Sequence, residues 1–160
     1  MNSKLAETHP VEGLLRRALR APIWLYRAHL GALLGHTFLL LTHKGRKSGL
    51  PRQTVLEVVH YDKATRTHVV ASGWGTGSDW YRNVQQTPNV IVRSGGARIP
   101  ARAEILPADA AERELRWYAR NHPFRARELG SLMVGQPFDG SDEAIRRLAH
   151  TVPFVALRPR

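Results

Sequence analysis

The sequence predicts an α+β protein, an antiparallel β-barrel or sheet with peripheral helices, on three observations. From residue 37 onward, runs of strand length follow one another with short polar or glycine-rich connections, as hairpin neighbours do. Helical patterns collect at the N-terminus and in the last third instead of alternating with the strands, which argues against a doubly wound parallel sheet. At 160 residues, 42% of them apolar, the chain can close one core and is too short for two.

Residues 1–36 form an amphipathic helical segment. Leu14, Leu15, Ala18 and Leu19 fall at helical spacing beside Arg16, Arg17 and Arg20, and Pro22 separates a second helix carrying Trp24, Leu25, Ala28 and Leu33. Arginines interrupt every apolar run, so the segment does not span a membrane. Two destinations stay open for it: the core of its own domain, or an anionic membrane surface with Trp24 and Tyr26 at headgroup level.

Residues 37–160 form the main domain. TFLLLT is a continuous apolar strand and TVLEVVHY a β-branched one, with the charged stretch HKGRKSGLPRQT, residues 43–54, running from one to the other. The polar connection DKATR leads to a third strand, THVVAS. In GWGTGSDWYRNVQQTP a glycine loop reaches Ser78 as the expected N-cap of a short helix through Trp80 and Val84, which stops before Pro88. A hairpin around Ser94, Gly95 and Gly96 follows, then the helix ADAAERELRWYARNH with acids early and bases late. Residues 124–150 read as helical with an interruption at GQPFDG, and VPFVALRP closes the chain as a strand.

The formal charge of +11 favours anionic partners, whether nucleic acid, acidic lipid or a small phosphorylated or carboxylated molecule. Cysteine is absent, which removes thiolate chemistry and disulfides and suits a cytoplasmic protein, with peripheral contact at the inner face of the membrane if the N-terminal segment docks there. HKGRKSG is not a nucleotide P-loop, because Leu40 stands where the first glycine is required and Arg46 separates Gly45 from Lys47. Gly73, Gly75 and Gly77 lead to Ser78 where a dinucleotide fingerprint needs glycine. The histidines have no metal-ligand spacing and no serine lies in a nucleophile elbow, so no metal is expected. What remains is anion binding. Arg46 and Arg52 can clamp an anion bidentately, Lys47 adds a point charge, and Ser48 and Gly49 offer a hydroxyl and a backbone N–H.

LLLTHKGRKSGLPRQTVLEVV, VVASGWG, DWYRNVQQTPNVIV, ARAEIL and VPFVALRP, in that order over residues 37–160, resemble the deazaflavin-dependent nitroreductase family, the split-barrel reductases that use coenzyme F420. The resemblance implies a split β-barrel whose bound reduced deazaflavin gives a hydride to a quinone, a nitro compound or an activated double bond. It implies that Arg46, Lys47 and Arg52 hold the phosphodiester and oligoglutamate tail, and that Gln53, Thr54, Val55 and Leu56 run beside the ring. It also brings Ser72, as a donor to ring oxygens, and Gly73 to the cofactor. Trp80 and Asn83, three apart on one helical face, match the family's Trp-Tyr-x-Asn element, although a tryptophan there is also a natural core anchor.

This sequence departs from the family's pattern at Glu57, where the quinone- and nitroimidazole-reducing members carry a ring-facing aromatic and where strand alternation points to solvent. The tyrosines that shape their substrate pocket are absent after Phe124. No general acid is assigned, since hydride transfer depends on orientation and water exclusion. The expected partner is a small-molecule electron acceptor and not nucleic acid. The rivals are a basic β-barrel that stacks nucleic-acid bases on its tryptophans, and a protein that carries the coenzyme without turnover.

Overall fold

The structure, a computed structural model, describes residues 35–160. The expected helices before residue 35, with Trp24 and Tyr26, lie outside the described residues.

Six strands form a closed, wholly antiparallel barrel in the order β1-β2-β3-β6-β5-β4: β1 Phe38–Lys44, β2 Pro51–Asp62, β3 Thr67–Ala71, β4 Asn89–Ser94, β5 Ala97–Ile105 and β6 Phe154–Pro159. The barrel closes where Leu40, Leu41 and Thr42 of β1 pair with Arg93, Val92 and Ile91 of β4. Four helices stand outside the sheet among the described residues: α1 Asp79–Gln86, α2 Ala108–Asn121, α3 Pro123–Val134 and α4 Asp142–Thr151. The α+β barrel with peripheral helices is therefore as the sequence predicts.

Period-two alternation sorts the side chains into two cores. Leu39, Leu41, Val58, Val70 and Val92 point into the barrel, where Trp80, Tyr81 and Val84 of α1 pack on them. Val59, Val69 and Phe154 face outward and are covered by Leu115 and Tyr118 of α2 with Ile145 and Leu148 of α4. A register shift in β2 between Val58 and His60 makes both possible. The extra residue changes the parity of the strand. Val59 joins the outer core, His60 meets Glu114 of α2 at 2.6 Å, and Tyr61 returns to the barrel side.

The interruption expected at GQPFDG is a packing device. Gly135, at φ +68°, ends α3 in the left-handed conformation, and Phe138 then folds back onto Gly130. A Cβ at residue 130 would stand 2.4 Å from Phe138 Cγ, so only glycine admits the ring. Gly95 and Gly96, both at positive φ, make the two-residue β4–β5 turn.

Two local expectations need correction. Half of the charged stretch 43–54 is strand: β1 continues through Lys44 and β2 begins at Pro51, leaving Gly45–Leu50 as the turn, closed by Gly45 N–H to Leu50 C=O at 2.8 Å. Ser78 occupies the N-cap position of α1, but its side chain makes no capping bond, because its hydroxyl is engaged with Ser72 Oγ at 2.8 Å.

Candidate functional site

The β1–β2 turn is fastened to α1 by one side-chain amide. Asn83 Oδ1 accepts from the backbone N–H of Arg46 and from its Nη1, each at 3.0 Å, while Asn83 Nδ2 lies 3.1 Å from His43 Nδ1. Since the amide donates there, His43 Nδ1 is the acceptor and its proton sits on Nε2. Burial pushes the imidazole down to about 4, a shift that Arg52 adds to and Asp79 opposes, so His43 is neutral at pH 7. Arg46 Nη2 also pairs with Asp79 at 2.9 Å, and that guanidinium holds the Asp79 carboxyl below its ordinary range.

Beside this fastening lies an open cleft of about 730 Å³. Arg46, Lys47, Ser48, Arg52, Gln53, Thr54, Val55, Leu56, Trp80 and Asn83 all line it, so most of the residues singled out in the sequence come together. Their commitments differ. Arg46 is fixed by Asp79 and Asn83, whereas neither Lys47 nor Arg52 has an ion pair or side-chain hydrogen bond among the described residues. Those two exposed cations are the ones free to take an anion. Val55, Leu56, Trp74 and Trp80 give the same cleft an apolar lining.

Three sequence-named residues stand apart from the cleft, Gly49, Ser72 and Gly73, the last of which lines the neighbouring cavity. Gly49 is not among its lining residues; its φ of +70° and its N–H bond to Gly45 C=O shape the turn. Ser72 is fully buried, with its Oγ within 2.7 Å of Gly75 C=O and 2.8 Å of Ser78 Oγ, and it braces the glycine loop from beneath. Trp80 has both expected attributes: it is 8% exposed and packs in the barrel core, and what remains of its surface faces the cleft.

A second, more apolar cavity of about 960 Å³ adjoins the first across Val55, Leu56, Trp74 and Trp80, which line both. Its other walls are Gly73 and Gly75 of the glycine loop, Phe38 of β1, and Leu129, Leu132 and Met133 of α3. Glu57 also lines it, and here the expectation of solvent fails. Outward alternation on β2 meets the helices, so Glu57 Oε1 accepts from Tyr118 Oη at 2.5 Å and pairs with Arg125 Nη2 at 2.6 Å. Burial and this carboxylate push the Tyr118 phenol upward, which keeps it protonated as the donor.

Sequence reasoning missed His43, Trp74 and Asp79 as lining residues. Trp74 carried a signal, being a large aromatic between two glycines that stays 71% exposed. Asp79 carried none, because its partner Arg46 is thirty-three positions away. Among the described residues no group of three or more potential ligands could hold a metal. No helix among them is long and apolar enough to cross a membrane.

Residues 18–128 match the family model described as F420H(2)-dependent quinone reductase. A Mycobacterium tuberculosis protein provisionally named an F420H(2)-dependent quinone reductase is 35% identical over 77 residues, which is 47% of this chain and 63% of that protein. Among solved structures, one titled F420-H2 dependent reductase (FDR-A) superposes with TM-score 0.53 at 21% identity, covering 76% of this chain and 94% of its own. An FMN-binding, pyridoxamine 5'-phosphate oxidase-related protein from Nostoc punctiforme reaches TM-score 0.53 at 14% identity, over 96% of this chain and 82% of its own. The heme storage protein HutZ from Vibrio cholerae reaches 0.52 at 14% identity, over 89% and 90%. At these identities the structural likenesses establish the fold, and the fold serves several cofactors.

Proposed function

Because the chain belongs to the F420H(2)-dependent quinone reductase family, we propose that it is an oxidoreductase that moves a hydride from reduced coenzyme F420 to an organic acceptor, with quinones ahead of nitro compounds and activated double bonds. The observation that carries this reading is the junction of two cavities: a cleft lined by free cations and a more apolar cavity, which share the wall of Val55, Leu56, Trp74 and Trp80.

The residues present fit the coenzyme. Lys47 and Arg52 supply uncommitted positive charge for a phosphodiester and carboxylates. His43 Nε2–H adds a neutral donor within the same cleft. Val55, Leu56 and Trp80 offer a flat apolar wall for a fused ring system. When bound, the reduced deazaflavin supplies the hydride.

The chain's own residues then orient and exclude. The Asn83 fastening holds the turn at a fixed distance from α1, so Lys47 and Arg52 position the anionic end while β2 positions the ring end. Trp74 covers the junction, and the apolar wall keeps water from the path between the two cavities. A quinone that gains one hydride also gains one proton to become a hydroquinone. The shared wall carries no acid, so that proton comes from water at the open side of the cavity.

Steady-state oxidation of reduced coenzyme F420 against quinones, enones and nitroaromatics tests the reading, with recovery of the oxidised coenzyme's visible absorbance as the signal. Turnover with at least one quinone is expected. Tight coenzyme binding without turnover of any acceptor leaves a carrier instead. Turnover with FMN and NADPH in place of coenzyme F420 overturns the cofactor. A nucleic-acid platform has little to recommend it: Trp80 is buried, and Trp74 and Trp117 lie in a loop and a helix, off the strand face that stacks bases.

A further inference from the structure

Resting on the reading just given, we infer that Glu57 is the polar selector of the acceptor cavity and that the preferred acceptor is an apolar molecule carrying a neutral hydroxyl near its reducible ring. The cavity's walls are hydrocarbon from Phe38, Leu129, Leu132 and Met133, with Glu57 as the one carboxylate among its lining residues. An apolar wall sets affinity for a ring but discriminates weakly between substituents. A fixed polar group discriminates strongly.

Glu57 is fixed. Tyr118 Oη and Arg125 Nη2 both donate to its Oε1, at 2.5 and 2.6 Å, and Tyr118 is itself fully buried. These bonds anchor Oε1 from the helix side. Its Oε2 has no partner among the described residues, and it is not a buried orphan, so it remains open to a donor entering the cavity. A carboxylate oxygen accepts and does not donate, which favours O–H on the acceptor over another carbonyl. Charge narrows the class further. Arg125 already neutralises Glu57, and Arg147 lines the same cavity, so an ammonium group gains little there and a neutral hydroxyl gains a charge-assisted bond.

Glu57, Tyr118 and Arg125 lie within the family match, which ends at residue 128, and the opposing wall of the cavity, from Leu129 to Val152, lies beyond it.

The test compares two quinones of nearly equal size, 2-hydroxymethyl-1,4-naphthoquinone and 2-ethyl-1,4-naphthoquinone, with reduced coenzyme F420 and the full chain. The wild type should favour the hydroxymethyl quinone in kcat/KM by about tenfold or more, the value of a charge-assisted bond at a partly open site. Glu57→Gln keeps an oxygen for Tyr118 and Arg125 and removes only the charged acceptor, so it should fold and lose most of that preference while still turning over the ethyl quinone. Glu57→Leu, if folded by circular dichroism, should abolish the preference. Equal kcat/KM for the two quinones in the wild type, or an unchanged ratio in Glu57→Gln, overturns the inference and leaves the reductase reading intact. Absence of turnover with both, in a protein that binds the coenzyme, removes the reductase reading and the inference with it.

Discussion

Asn83 Oδ1 receives two hydrogen bonds from Arg46, one from its backbone N–H and one from its guanidinium, each at 3.0 Å. Arg46, named with Lys47 and Arg52 as an anion clamp, is thus also a structural fastening. Arg46→Ala and Asn83→Ala should each cost about 1–3 kcal/mol, because each leaves partly buried polar groups unpaired. The double variant should lose less than the sum, since both substitutions break the same contacts. Urea midpoints at constant slope measure this, and unshifted midpoints contradict the fastening.

Lys47→Ala and Arg52→Ala should behave in the opposite way. Neither side chain is tied to the protein, so the urea midpoint should stay put, while affinity for coenzyme F420 falls by about 1–3 kcal/mol per residue. Added salt and a shorter oligoglutamate tail should weaken the wild type, and both effects should shrink in the variants. A fluorescence titration showing the same affinity in all three proteins removes the tail from this turn.

Stability should fall as the pH drops from 6.5 toward 4. Burial holds His43 and His68 neutral down to about 4, whereas the unfolded chain protonates them near the ordinary imidazole value of 6.5. Between these values the unfolded state binds more protons, so the contribution is complete above 6.5 and lost as the pH falls through the folded value, at roughly 1.4 kcal/mol per pH unit for each imidazole. His68 Nε2 has no partner, so His68→Leu should flatten the profile at little other cost. Urea midpoints at pH 7.5 and 5 decide it, and identical midpoints count against the buried neutral pair.

Gly130→Ala should destabilise although it improves helix propensity. The propensity gain is at most about 1 kcal/mol. Against it stands a Cβ placed 2.4 Å from the Phe138 ring, an overlap that costs about 1–3 kcal/mol when a packed core must yield. Adding Phe138→Leu should recover part of the loss, since the smaller side chain makes room. A melting temperature at or above wild type for Gly130→Ala means the loop moves freely.

The strands and their hairpin order were legible because apolar alternation and turn residues are local signals, and they placed β1 to β6 within a few residues. The turn at 43–54 was drawn too wide because cationic residues look like loop, while Arg52, Gln53 and Thr54 sit in strand with their side chains at the cleft. Glu57 was assigned to solvent for a similar reason. Alternation tells which face a residue takes, and only tertiary packing tells that α2 and α3 bring Tyr118 and Arg125 to that face. The choice between Arg46 as clamp and Arg46 as fastening was likewise invisible, because it depends on two residues of α1 more than thirty positions away.

The pairing of β1 with β4 has a consequence for how this domain meets other chains. Each of the six strands is paired on both sides over part of its length, so none is a bare edge from end to end, although Pro51–Glu57 of β2 pairs with β1 alone. At the β1–β4 seam an extended peptide or a second copy can enter only by displacing one of the two strands, which means breaking their shared backbone bonds before any new ones form. Strand addition is therefore closed at that seam, and amide exchange from Leu40, Leu41 and Thr42 should proceed only when β1 separates from β2 or from β4.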